Sequence, residues 1–257
     1  VPTALVTGAS SGIGLELARL LAGSRHDLVL VARSGAKLAE LGAELRERHG
    51  ITARVLPKDL ADPEAAPGIA ARLERDGVVL DVLVNNAGFG GYARFHEQDT
   101  RTQLEMIQVN VTALTHLTRL LLPGMVARGR GRILNVASTA AFQPGPLQAV
   151  YYATKAYVLS LSEALANELE GTGVTVTCLC PGPTDTGFGE RADMTASRLF
   201  RRPPMSAERV AAEGYRALMR GDPLVIPGFR NRASAFAVRL GPRRTVTAIA
   251  RRAQERA

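Results

Sequence analysis

From Thr3 to Ile226, short apolar runs alternate with helical runs, and this alternation constrains the fold more than any single motif. Strands are expected near residues 3–7, 28–31, 52–56, 82–84, 132–136, 173–179 and 224–226. Helices are expected between them, near 15–21, 38–48, 63–75, 101–127, 150–170 and 207–219. Strands separated by helices pair in parallel, because a parallel connection needs a crossover of a dozen or more residues. The expectation is one doubly wound α/β domain over residues 1–227: a parallel sheet of about seven strands with helices on both faces. A chain of 257 residues is long enough to bury a sizeable core in one such domain.

The first strand enters Gly8-Ala9-Ser10-Ser11-Gly12-Ile13-Gly14, and a helix follows. Strand, glycine-rich turn and helix is the arrangement that brings a pyrophosphate to a helix N-terminus. Glycine lets the backbone approach the phosphates and donate N–H groups. The spacing Gly-x-x-x-Gly-x-Gly departs from the commoner Gly-x-Gly-x-x-Gly. After the second strand stands Arg33, where a carboxylate would accept from a ribose 2′-hydroxyl; Asp27 lies at the strand's other end. Arginine pairs with phosphate, so NADP(H) is favoured over NAD(H). Asp59 and Leu60 follow the third strand, where they could meet an adenine. Asn85-Asn86-Ala87-Gly88 closes the fourth strand, and its small residues suit a wall against a ribose or nicotinamide.

Tyr151 and Lys155 are four apart in the expected helix 150–170, so they share one of its faces; Tyr152 points about a quarter turn away. A tyrosine titrates near about 10, and a nearby cation lowers that value. The pair therefore reads as a tuned acid/base. The chain's only lysines are Lys37, Lys58 and Lys155, amid many arginines, which hints that Lys155 is wanted for a compact, shiftable ammonium. Ser138 stands at the carboxyl end of the fifth strand, where open α/β sheets place their sites. Asn110 sits in mid-helix, an unfavourable place for asparagine, and is expected to disturb the helix locally.

Taken together, Thr7-Gly8-x-x-x-Gly12-x-Gly14, Asn85-Asn86-Ala87-Gly88, Asn110, Ser138, Tyr151-x-x-x-Lys155 and Pro181-Gly182 resemble the short-chain dehydrogenase/reductase family. The match runs in order from about residue 3 to 226. The resemblance implies a Rossmann-like sheet with cofactor and substrate at its carboxyl edge. It implies Tyr151 as catalytic acid/base and Ser138 as the donor that holds the substrate oxygen. Lys155 would bind the nicotinamide ribose and lower the tyrosine pKa, and Asn110 would hold a water leading to bulk solvent. Gly8, Ser10, Ser11, Gly12, Ile13, Gly14, Arg33, Asp59, Leu60, Asn86, Ala87, Gly88, Pro181, Gly182, Thr184 and Thr186 would line the cofactor with Tyr151 and Lys155. The implied activity is NADPH-dependent reduction of a carbonyl, with a homo-oligomer as the assembly.

Substrate candidates are Phe89, Gly90, Tyr92, Phe95, Phe142, Gln143, Pro144, Leu147 and Phe188, mostly apolar, which favours a hydrophobic ketone, aldehyde or acyl chain. Residues 187–205 read as a lid over this pocket. Its arginines, Arg191, Arg198, Arg201 and Arg202, are either a solvated basic loop or a dock for an acidic carrier. No metal-ligand cluster is visible. Cys178 and Cys180, two apart in a strand, read as core thiols in a reducing compartment. No apolar run approaches the length of a membrane span, and the first strand begins by Thr3, so a cytoplasmic protein without a leader is expected.

The net charge of +8 is concentrated in residues 228–257, where eight arginines face one carboxylate, Glu255. This extension could cover the substrate cleft, pack on a second subunit, lie on an anionic membrane surface, or fray in solvent. Nucleic acid is the least expected partner, since the body is nearly neutral. The rival to an enzyme is a dinucleotide-binding regulator or scaffold without turnover.

Overall fold

The computed structural model describes residues 1–192, 197 and 203–255. Seven parallel strands form the central sheet: β1 (Thr3–Thr7), β2 (Asp27–Ala32), β3 (Ala53–Pro57), β4 (Val82–Asn85), β5 (Gly131–Val136), β6 (Val174–Leu179) and β9 (Leu224–Val225). Their order is β3-β2-β1-β4-β5-β6-β9. The chain winds outward from β1 in one direction to β3, then crosses back to β4 and winds outward in the other. The expected doubly wound α/β fold is thus the observed one, and its switch point lies between β1 and β4.

Burial on both faces explains why the strands read as continuous apolar runs. Ala4, Val6, Leu28 and Leu30 point to one face of the sheet. There they pack against Leu17 and Leu21 of α1 (Gly12–Gly23), Leu38 and Leu45 of α2 (Gly35–His49), and Val210 and Leu218 of α8 (Ala207–Arg220). Leu5, Val29 and Val31 point to the other face, against Ile69 and Leu73 of α3 (Ala65–Arg75) and Leu117 and Met125 of α5 (Leu114–Ala127). Ser206 caps α8 by accepting from the Arg209 amide, as its position before the helix leads one to expect.

A buried polar chain ties the sheet to the helices beside the switch point. Asn85 Nδ2 donates to Asn135 Oδ1 at 2.9 Å and to Thr118 Oγ1 at 3.0 Å, and Asn135 Nδ2 donates to Ser162 Oγ at 2.9 Å. Asn85 and Asn135 are register partners across β4 and β5. A one-residue slip would strand both amides in the core, so the pair specifies the register.

The single helix expected over 101–127 is divided. Helix α4 (Thr100–Ile107) passes through a π turn at Gln108–Ala113 into α5, and Asn110 lies in that turn. One feature had no sequence signal: β7 (Thr184–Asp185) pairs in parallel with β8 (Met205–Ser206), closing the base of segment 187–205. Two-residue strands are too short to show periodicity. Within that segment Phe188–Arg191 forms α7. Met194, Arg198, Leu199, Phe200, Arg201 and Arg202 lie outside the described residues, as do Arg256 and the side chain of Arg191, so the lid expectation falls largely there. The two cysteines are free and buried with sulfurs 3.7 Å apart. No helix among the described residues is long and apolar enough to cross a membrane.

Candidate active site

A cavity of about 590 Å³ opens along the carboxyl ends of β1, β2, β4, β5 and β6. At its centre the glycine loop turns from β1 into α1. Gly8 and Gly12 have φ of 67° and 57°, a region that side chains avoid. A side chain at Gly14 would overlap the Gly8 carbonyl, and one at Gly12 would meet Thr186. Asn86 and Thr7 hold this turn against β4: Asn86 Nδ2 donates to the Thr7 carbonyl at 2.9 Å, and Thr7 Oγ1 accepts from the Asn86 and Ala87 amides at 2.9 and 3.0 Å.

Ser11 places no side-chain cap on α1, and no acidic residue stands in the helix's first turn. The first N–H groups of α1 therefore face the cavity as an electropositive, uncapped end. At the outer end of the cavity Arg33, Lys37 and Lys58 line the wall beside Asp59 and Leu60. The Asp59 carboxylate accepts from the Ala61 amide at 3.0 Å, and no ion pair among the described residues engages Arg33. Backbone cradle, uncapped helix and free cations fit a phosphate-bearing dinucleotide. Lys37 and Lys58 were missed as site residues. The signal was the scarcity of lysine: all three lysines of the chain line this one cavity.

At the inner end α6 (Ala149–Glu168) presents Tyr151 and Lys155 from one face. Both are buried, at 9% and 5% exposure, yet both border the cavity. Lys155 Nζ donates to the Val136 carbonyl at 2.8 Å and lies 5.8 Å from the centre of the Tyr151 ring. Ser138 follows β5, accepts from the Ala140 amide at 3.1 Å, and is hydrogen-bonded to Tyr151. A side chain at Gly88 would come within 3.0 Å of Asn110 Oδ1 and 3.4 Å of Lys155 Nζ, so these groups converge on one point.

One expectation needs correction here. Burial pushes the Tyr151 phenol above its usual value, and the Ser138 hydrogen bond only partly offsets this. Lys155 does not reverse this net rise; burial lowers the lysine itself to about 8, with Cys178 and Cys180 pulling the other way. The physical reason is that desolvation of a closed apolar site outweighs an attraction acting across the ring. The Asn110 carboxamide is engaged with protein. It accepts from the Phe89 amide at 3.1 Å and donates to the Phe89 carbonyl at 2.9 Å and to Thr154 Oγ1 at 3.1 Å. Its side chain fixes the loop after β4.

The end of the cavity beside Tyr151 is bounded by Phe89, Gln143, Gln148, Tyr152 and Phe188, with the Phe188 ring 5.2 Å from that of Tyr151. Phe142, Tyr92 and Leu147, expected in the pocket, are elsewhere. Phe142, partly buried, packs against the core cluster that contains Val158 and Cys178. Leu147, at φ 70°, accepts from the Ala93 amide at 3.0 Å. The Tyr92 hydroxyl donates to the Gln254 carbonyl at 2.8 Å. Pro144 and Phe95 also lie away from the cavity wall. Sequence order alone could not assign these side chains, because the loops carrying them have no period from which a facing can be read.

The extension forms α9 (Phe229–Ala237) and α10 (Arg243–Gln254). Gln254 is 1% exposed and donates through Nε2 to the hydroxyl of Tyr152, a residue of the cavity wall. The last helix therefore backs the cavity wall at Tyr152 from outside. Among the described residues no group of three His, Cys, Asp or Glu side chains is placed to hold a metal ion.

Residues 2–196 match the family described as short chain dehydrogenase. Ketoacyl reductase 1 of the granaticin polyketide synthase from Streptomyces violaceoruber is 43% identical over 195 residues, which are 74% of this chain and 70% of that protein. The very-long-chain 3-oxoacyl-CoA reductase of Phaeosphaeria nodorum is 38% identical over 180 residues, 68% of this chain but only 53% of that protein, so the chain spans about half its length. A solved short-chain dehydrogenase from Sphingobium yanoikuyae in complex with NADPH superposes with a TM-score of 0.84 at 34% identity, covering 99% of this chain and 98% of the other.

Proposed function

Because this chain belongs to the short-chain dehydrogenase/reductase family, whose members act on CH–OH and carbonyl groups with a nicotinamide dinucleotide, we propose that it is an NADPH-dependent reductase of a hydrophobic ketone, aldehyde or acyl-type carbonyl. One observation carries the reading: the Ser138, Tyr151 and Lys155 side chains border the same cavity as the glycine cradle. That cradle would hold the diphosphate of a nicotinamide dinucleotide, which when bound would supply the hydride.

The chain's own groups handle the oxygen and the proton. Ser138 and the Tyr151 hydroxyl donate hydrogen bonds to the carbonyl oxygen, where negative charge develops. Tyr151 then gives up its proton to that oxygen. Its raised pKa keeps the phenol protonated near neutrality, which is the state a proton donor needs. The Lys155 ammonium, held by the Val136 carbonyl, faces the phenolate left behind and stabilises it. Asn110 positions Phe89 and, through Thr154, the helix that carries the pair. The burial of these groups excludes water and strengthens each interaction.

Apolar Phe89, Phe188 and Tyr152 with uncharged Gln143 and Gln148 support a hydrophobic carbonyl compound as substrate. Arg33 supports NADPH over NADH. Arg33→Ser is expected to raise the KM for NADPH about tenfold or more while changing that for NADH little, as the loss of a charge-assisted bond requires. Equal KM shifts for the two cofactors would remove Arg33 from the 2′-phosphate. Exposed Leu104, Ile107, Leu120 and Tyr157, on α4, α5 and α6, support assembly into a homo-oligomer through that side.

The deciding experiment follows NADPH absorbance with hydrophobic ketones, aldehydes and 3-oxoacyl thioesters. Substrate-dependent oxidation, faster than with NADH, is expected. Tight NADPH binding with no oxidation by any of these carbonyls would instead favour a dinucleotide-binding regulator.

A further inference from the structure

Helix α9 turns its apolar side outward. Phe229, Phe236 and Leu240 are 77%, 63% and 75% exposed, at i, i+7 and i+11, with exposed Ala233 at i+4. Hydrogen bonds from the amides of Val238, Arg239 and Leu240 continue the coil past the formal end of the helix. The stripe is therefore a straight ridge about 16 Å long. Arg230 flanks it on one side and Arg232 and Arg239 on the other.

The opposite face is already used. Ala235 is buried, Asn231 donates to the Pro227 carbonyl at 2.7 Å, and a side chain at Gly182 would strike Asn231. Helix α10 continues the pattern. Ala250 and Gln254 face inward, while Ile249 is 60% exposed beside Arg252. In the extension only Arg251 has a carboxylate partner among the described residues, Glu255 at 3.4 Å.

We propose that α9 and α10 form a docking surface for an anionic phospholipid bilayer. A second copy of the chain is disfavoured as the occupant, because a two-fold contact would set the same unpaired arginines against each other. A protein partner would need an acidic groove shaped to a convex ridge. A bilayer interface accepts such a ridge as it is. Phenyl rings enter the acyl boundary while guanidinium groups pair with lipid phosphates. Since the inner face of α10 holds Tyr152, docking turns the substrate end of the cavity toward the bilayer. That consequence rests on the hydrophobic-carbonyl reading above; vesicle binding does not.

The test is flotation of the full chain with vesicles of phosphatidylcholine, alone or mixed with phosphatidylglycerol. Binding is expected only with the anionic lipid, and added salt should release it. The double variant Phe229→Ser/Phe236→Ser should lower the partition coefficient about tenfold or more. The triple variant Arg230→Gln/Arg232→Gln/Arg239→Gln should lower it roughly fivefold for each arginine removed. Circular dichroism and NADPH affinity should be unchanged in both. The proposal is overturned by no flotation with the anionic vesicles, by binding that both variants retain, or by a wild-type dimer that the phenylalanine variant dissociates. An enzyme that reduced none of the carbonyls tried would leave the flotation result standing.

Discussion

Tyr151→Phe is expected to lower kcat by about 10²–10⁴-fold, the usual weight of a positioned general acid. The substitution removes one oxygen and little else. The ring keeps its packing against Tyr152, 6.2 Å away, and Phe188, 5.2 Å away, so the fold should hold. The proton donor is lost, and so is one of the two hydrogen bonds to the developing oxyanion. NADPH affinity, read by fluorescence titration, should stay near the wild-type value, because the cradle at Gly8–Gly14 is untouched. Turnover within tenfold of wild type would remove Tyr151 from the chemistry.

Lys155→Met is expected to cost a similar factor in kcat and, unlike the tyrosine change, to weaken NADPH binding as well. The variant also tests the electrostatics of the cofactor-free protein. Lys155 titrates near 8 when folded against 10.5 when free, with burial as the main cause. Between these values the unfolded chain binds more protons than the folded one, so this lysine makes stability rise with pH. Below pH 8 the buried ammonium costs the fold roughly 3 kcal/mol, and above 10.5 it costs nothing. Methionine carries no such charge. The wild type should therefore gain stability relative to the variant as pH climbs from 8 to 10.5, measured by urea unfolding at each pH. Tyr151 and Tyr152 are raised by burial and act in the opposite sense above about pH 10. They are present in both proteins and cancel in the difference. A stability gap independent of pH would show that Lys155 is not desolvated.

Much of this site was legible in the chain because its parts are local. Gly8 to Gly14 lie in one turn, and Tyr151 and Lys155 on one helical face, so spacing alone places them. Ser138 and Asn86 were legible for a different reason: each ends a strand, and parallel strands end on the same edge. The π turn at Asn110 answers a local conflict between an asparagine and a helix interior. Lys58 and Lys37 were in view as rarities of composition, but rarity does not say which wall a side chain joins.

What the order of residues determined by itself was the seven-strand winding, the sheet edge that carries the glycine loop and the shared helical face of Tyr151 and Lys155, since period and spacing are properties of a one-dimensional string. Tertiary structure alone decided three things. It packed Phe142 against the core and brought the Leu147 carbonyl to the Ala93 amide. It brought Gln254 across 102 positions to Tyr152, setting the basic extension behind the cavity wall. It also set the sign of the Tyr151 shift, because desolvation depends on everything packed around a group, and no count of neighbours along the chain contains that sum.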